Sequence, residues 1–278
     1  MLHSKNIMIK LFAASVILFS SFTFASEPVT VNVQGNTVEV VVHLPGDVTA
    51  DLTLQFDNAV GLTRESLGLS AELIDVTSLN FIQRLPDSVN ITPSAAFPMM
   101  ITIEPPANSG FSFSGVASVD IHTHNLEYTA GTPLRFFKAP LNGEFKDITM
   151  TMGAGSYRAR GRTGRFSQFV IMADLRSPLV VVQEKFDDLE DALNEFAPQI
   201  DATVYTALLQ DLNAIDQLIT IQDYNAASNK LNDFNRRIND NRGVSVPDVW
   251  RSSRDIRNVA GELMAFSSTL RFSLRLIN

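Results

Sequence analysis

From Val29 onward apolar and polar residues alternate. Val29, Val31 and Val33 interleave with Thr30, Asn32 and Gln34, the period-two signature of a strand with one buried face. Gly35-Asn36 is a two-residue turn and Thr37–His43 resumes the strand, so a β-hairpin is predicted. After the turn Leu44–Asp47, Leu52, Leu54 and Phe56 mark one face of a strand over 50–56. Residues 61–95 read less cleanly. Leu67, Leu69, Ala71 and Leu73 share a parity and favour a strand over 67–76, with a short helix around 76–85 as the alternative. Val89–Ile91 is short and extended, and Pro98–Glu104 reads as a strand. Pro105–Gly110 is a loop that no element can cross. Phe111–Thr123 alternates, with Val116, Ser118, Asp120 and His122 on one parity. Further strands are predicted over 126–129, 134–138, 145–152, 156–162 and 166–173. About ten strands at about 8–12-residue spacing predict an antiparallel β-sandwich, immunoglobulin-like or jelly-roll-like, over 26–176.

At Ser177-Pro178 the period becomes helical. Val182, Phe186, Leu189, Leu193 and Phe196 form one stripe, and Pro198 interrupts it. Ile200, Val204, Leu208, Leu212, Ile215 and Leu218 form a second. Tyr224, Ala227, Leu231, Phe234 and Ile238 form a third, ended by Asn241-Arg-Gly243. A fourth helix is expected to open at Ser245–Asp248 and to carry Val249, Ile256, Val259, Leu263, Leu270 and Leu274. Each stripe is apolar on one side only and must be buried. A C-terminal antiparallel bundle of three to four helices is therefore expected over 177–278.

The first 25 residues read differently. Lys5 and Lys10 precede an uncharged apolar run over 11–24, and Thr23 and Ala25 place small residues at −3 and −1 before Ser26. This is the secretory signal pattern, and the run is shorter than the roughly 20 residues that span a bilayer. The expected location is periplasmic or extracellular, with no transmembrane anchor after cleavage. The chain has no Cys, so neither a lipid anchor on the mature N-terminus nor a disulfide is available. From Ser26 onward 20 Lys and Arg face 30 Asp and Glu, a net charge of −10, which argues against nucleic acid as a partner.

Two parts of the sequence carry family resemblances. Asp223-Tyr-Asn-Ala-Ala-Ser-Asn-Lys-Leu-Asn-Asp-Phe234, followed by Ile238, resembles a helical-hairpin module found at the C-termini of secreted bacterial proteins. His122-Thr-His-Asn-Leu126, Pro133–Pro140, Gly155–Gly161 and Phe166-Ser-Gln-Phe169 resemble a family of uncharacterised secreted proteobacterial proteins over most of the mature chain. The resemblance implies secretion and the two-part architecture. It implies no activity and transfers no functional residue.

Candidate chemistry is sparse. Asp120, His122 and His124 share one face of a strand, a carboxylate with two imidazoles of the kind that ligates a divalent ion; a solvated outer face is the competing reading. Arg158, Arg160 and Arg162 share a parity, and Arg165 follows them. They lie within 135–176, the densest clustering of Gly, Arg and aromatic residues. This ladder would take an external anion, or would face Glu184, Asp187, Asp188, Glu190, Asp191 and Glu195 of the first long helix across the junction; the acidic balance of the chain favours the internal contact. Gly153-Ala-Gly155-Ser156 lacks the Lys-Ser/Thr of a phosphate loop and reads as a turn. Phe111, Phe113, Phe136 and Phe137 offer a sugar-stacking platform, although adjacent Phe136 and Phe137 must point to opposite faces. Trp250, at the start of the fourth helix, reads as packing. There is no Cys nucleophile, Gly-x-Ser-x-Gly elbow, His-Glu-x-x-His helix or, after residue 25, Ser-x-x-Lys. A non-enzymatic binding or structural module of the cell envelope or extracellular matrix is expected, with an envelope protein or polysaccharide as partner and no cofactor. A carbohydrate- or metal-binding module is the alternative, and a secreted hydrolase ranks third.

Overall fold

A computed structural model describes residues 28–277; the expected signal peptide, 1–25, lies outside the described residues. The chain runs β1 (Val29–Gln34), β2 (Thr37–Leu44), β3 (Val48–Val60), α1 (Arg64–Leu67), β4 (Leu69–Leu73), α2 (Leu79–Ile82), β5 (Ile91–Pro93), β6 (Met99–Ile103), β7 (Ser112–Glu127), β8 (Leu134–Ala139), β9 (Lys146–Asp147), β10 (Thr149–Gly153), β11 (Ser156–Thr163), β12 (Gln168–Asp174), α3 (Pro178–Phe196), α4 (Ala202–Thr220), α5 (Tyr224–Asn241), β13 (Val249–Arg251) and α6 (Val259–Ile277). The strands form two sheets, and every strand pair is antiparallel. One has the order β1-β2-β3-β7-β11-β10 with β13 also on β7. The other has the order β4-β6-β12-β8-β9 with β5 also on β12.

The 16-residue β7 is the spine of the first sheet. Along one edge it pairs with β3. Along the other it pairs with β11 as far as Thr163 opposite Ala117, and then with β13, where Trp250 lies opposite Phe113. Unpaired backbone groups in a covered sheet are costly, and β13 supplies partners where β11 stops. Gly115 marks the changeover, with φ +74°. A Cβ there would collide with the Asp57 carboxylate.

Alternation accounts for the core. Val38, Val40, Leu52, Leu54, Val119 and Ile121 from the first sheet join Met99, Ile101, Ile103, Phe136, Phe169 and Ile171 from the second in one buried cluster. The second sheet is buried on its other face as well. There Met100, Phe137, Val170 and Met172 pack under Phe81, Leu85 and Ile91 of the 74–91 segment. Phe111, Phe113, Phe136 and Phe137 are all buried, so the expected sugar-stacking platform is core. Burial of such a ring contributes about 1.5–3 kcal/mol, more than an exposed position could return.

Several expected elements are redrawn. Residues 126–127 are the end of β7 and 128–129 lie beyond it, because the strand continues through Thr123, whose hydroxyl donates to the Tyr157 carbonyl at 3.1 Å. The single strand expected over 145–152 is two, β9 in the second sheet and β10 in the first, so the chain changes sheets at Ile148. The segment 61–95 holds both a strand, β4, and short helices, α1 and α2. The fourth long helix starts at Val259 rather than at 245–249. Val249–Arg251 pairs with β7 instead, and the Trp250 ring packs tilted against Phe113 at 5.5 Å and edge-on to Phe166 at 5.4 Å between centroids.

The four long helices share one apolar cluster that includes Phe186, Leu193, Leu212, Leu231, Phe234, Leu263 and Leu270. Asp201 caps α4 by accepting from the Thr203 and Val204 amides, and Asp223 caps α5 by accepting from Ala226. Helices and sheets meet at a buried polar knot. Lys185 of α3 donates to Asp147 Oδ2 at 2.6 Å, to Thr269 Oγ1 at 2.7 Å and to Ser273 Oγ at 2.9 Å. Asp147 Oδ1 accepts from the Thr149 amide and hydroxyl. Both ions are almost fully buried. Burial lowers the Lys185 pKa and the Asp147 charge opposes that shift. Beside them Arg176, also buried, donates to both oxygens of Asp174 at 2.9 and 2.8 Å and pairs with Glu184 of α3.

Removing one partner strands the other charge in a dry interior. Lys185→Met is expected to cost about 3–5 kcal/mol in urea unfolding. Adding Asp147→Asn should restore part of that loss. A single variant within about 1 kcal/mol of wild type would show that the knot does not hold the halves together.

Candidate functional site

The outer face of the first sheet presents a grid of polar side chains. Strand register sets Asp51, His122 and Arg158 in one row across β3, β7 and β11. Thr53, Asp120 and Arg160 form the next row, and Gln55, Ser118 and Arg162 the third. The residues between them, Leu52, Leu54, Val119, Ile121 and Ala159, point inward and are buried. Most of the grid lines a shallow groove of about 340 Å³.

The register changes the carboxylate that the two histidines meet. Asp120 is held by Arg160, whose Nε and Nη2 contact Asp120 Oδ2 at 2.8 and 2.7 Å. Asp51 takes the place next to the imidazoles, its Oδ2 lying 3.4 Å from His122 Nδ1 and 3.0 Å from His124 Nε2. Asp51 comes from another strand, some seventy residues away, and alternation within β7 carries no signal for it. His43, on the exposed side of β2, stands opposite Thr49 and outside this group.

The four arginines separate. Arg158 stands exposed beside His122. Arg160 is occupied by Asp120. Arg162 is half-buried, its Nε lacks a hydrogen-bond partner, and burial lowers its pKa, against the pull of Asp57. It lines a second cleft of about 250 Å³ with Arg271 and Arg275 of α6. Arg165 reaches the helices, pairing with Glu262 of α6 at 3.2 Å. The ladder divides: Arg162 and Arg165 line a cleft with Asp188, Asp191 and Glu195 of α3, whereas Arg158 and Arg160 lie farther along the sheet face. Glu184, Asp188 and Glu195 form their ion pairs with Arg176, Lys146 and Arg257.

A deeper cleft of about 240 Å³ opens where the sheets meet α3 and α6, between Lys138, Arg165, Asp191, Glu262, Phe196 and Phe266. Lys138 Nζ donates to Thr163 Oγ1 at 2.6 Å. Burial pulls its pKa down from 10.5 to about 8; the Glu262 charge opposes this and the Arg165 charge adds to it. Sequence alternation placed Lys138 on a strand but gave no hint that the helices would enclose it. The mixed charge of the lining does not select one ligand class.

Residues 13–278 match a family described as a family of unknown function (DUF6689), and the chain belongs to it. No curated protein matches the sequence.

Lys138 sets a pH dependence. Its folded pKa lies below the unfolded one, so between about pH 8 and the ordinary lysine value near 10.4 the unfolded chain binds a proton that the folded chain does not. Stability from this group therefore rises with pH across that window. Lys138→Met should be favoured most below pH 8, relative to wild type, and that advantage should shrink toward pH 10.4. Urea unfolding of both proteins across the range checks it, and a pH-independent difference contradicts it.

Proposed function

We propose, for this member of a family of unknown function, an exported non-enzymatic binding module that works in the periplasm or outside the cell. In this reading residues 1–25 are a signal peptide, 26–176 an antiparallel β-sandwich, and 177–278 an antiparallel helical bundle of the hairpin type found in secreted bacterial proteins. The bundle braces the sandwich through the Lys185–Asp147 knot, covers the Arg162 end of the first sheet's outer face, and leaves the Asp51–His122–Arg158 end to a partner. The lack, among the described residues, of any helix long and apolar enough to cross a membrane is compatible with this reading.

The observation that carries the proposal is the grid on β3, β7 and β11. Acidic, imidazole and guanidinium groups stand there in register on the sheet, and Arg158 is exposed to solvent. Contacts from α6 and the residue before it fall away from the Asp51–His122–Arg158 row, at Gly115 of β7, Gly164 after β11 and Met150 of β10. A protein surface of complementary charge is the favoured partner. A polysaccharide is disfavoured because the rings that would stack on sugars are in the core.

Two measurements test this. N-terminal sequencing of the chain from the cell exterior or periplasm should begin at Ser26, and an intact Met1 would remove export from the reading. A photo-cross-linking residue at Thr53 or Gln55 should capture a partner in the producing cell, whereas one at Gln210 on the exposed side of α4 should not. Arg158→Glu should abolish the Thr53 product. Equal capture at Gln210 would count against the sheet face.

A further inference from the structure

We infer that Asp51, His122 and His124 form a binding site for a divalent metal ion of the zinc type. Asp51 and His122 are directly opposed across β3 and β7, and His124 stands two residues on, on the same face. Cross-strand neighbours and their diagonals lie within reach of one another. One ligand atom from each of Asp51, His122 and His124 lies within 4.8 Å of the other two. A tetrahedral zinc ion with bonds of about 2.0–2.1 Å sets its donor atoms roughly 3.3 Å apart. The two carboxylate–imidazole separations, 3.4 and 3.0 Å, bracket that spacing. Each imidazole turns a ring nitrogen toward the same carboxylate oxygen, so all three donors converge on one point outside the strands.

The scaffold supports the site. Asn125, next to His124, accepts from the Thr49 amide at 3.0 Å and donates to the Asp47 carbonyl at 2.8 Å. That pins the end of β7 to the turn before Asp51. Two imidazoles and one carboxylate suit zinc and its first-row neighbours better than magnesium or calcium, which prefer all-oxygen shells. Three protein ligands leave a coordination position open to water or to a donor from outside. The site is reachable, with Asp51 46% and His124 45% exposed. Arg158 flanks His122 on the side away from Asp51. An anionic donor, such as a carboxylate side chain of a bound protein, would therefore meet both the metal and a guanidinium. A metal-bridged contact is the use that this geometry serves.

That use rests on the reading of the sheet face as a contact surface, and the two ideas fail separately. The test is equilibrium dialysis of the full, exported chain against Zn²⁺ after chelator treatment, with bound metal measured by elemental analysis. One equivalent is expected. His122→Ala, His124→Ala and Asp51→Asn should each weaken binding by at least about tenfold, the loss that even an outer partner of a metal ligand produces. Asp120→Asn should bind like wild type, since Asp120 is committed to Arg160. Substitution with Co²⁺ should give the visible absorption of a four-coordinate ion, and addition of acetate should shift that absorption in wild type more than in Arg158→Ala. No stoichiometric uptake by wild type overturns the site, as does loss of uptake in Asp120→Asn with retention in Asp51→Asn. Uptake without any cross-link at Thr53 keeps the metal and removes the partner. Cross-linking without uptake does the reverse.

Discussion

A buried ion pair is the constraint on which the assembly turns. Lys185 and Asp147 sit where a helix meets the strand segment that changes sheets, and both have left water almost completely. Their attraction alone would not offset desolvation. The hydroxyls of Thr149, Thr269 and Ser273 complete the shell. Three stretches of chain far apart in sequence must therefore dock in one geometry: α3, α6 and the β9–β10 crossover. Apolar stripes alone would tolerate sliding of a helix along the sheet, whereas an unpaired lysine at this depth would not. Arg176, forked onto Asp174 and paired with Glu184, repeats the device at the start of α3.

The second constraint is the length of β7. It carries the registers of β3, β11 and β13, so any residue on its outer face acquires fixed neighbours on both sides. This is how Asp51, His122 and Arg158 come to share a row although more than a hundred residues separate the first from the last. Strand-borne groups of this kind are held more rigidly than loop-borne ones. The helices, by docking at the Gly115 end, leave that row uncovered.

Local patterns made much of the chain legible. Gly35-Asn36 with flanking valines specified a hairpin, and the stripes of Leu and Phe after Pro178 specified three of the four long helices. Failures arose where the deciding contact was remote. Phe145–Met152 alternates like one strand, and nothing local announces that Ile148 turns it from one sheet to the other. Val249-Trp-Arg251 fits a helical stripe as well as a strand. It became a strand because β7 has backbone groups to satisfy beyond the end of β11 and an aromatic pocket of Phe111, Phe113 and Phe166 for the indole.

The candidate site divides along the same line. Period-two alternation is a property of one strand, so it was enough to put Asp120, His122 and His124 on one face of their strand and Arg158, Arg160 and Arg162 on one face of theirs. Which carboxylate meets which cation depends on the register between strands, and that is set by the packing of whole sheets. Register handed Asp120 to Arg160 and Asp51 to the histidines, turned Arg158 outward and sent Arg165 to Glu262. Residue types and their spacing are local quantities, readable from composition and period. Partnership is a long-range quantity, and only the folded chain supplies it.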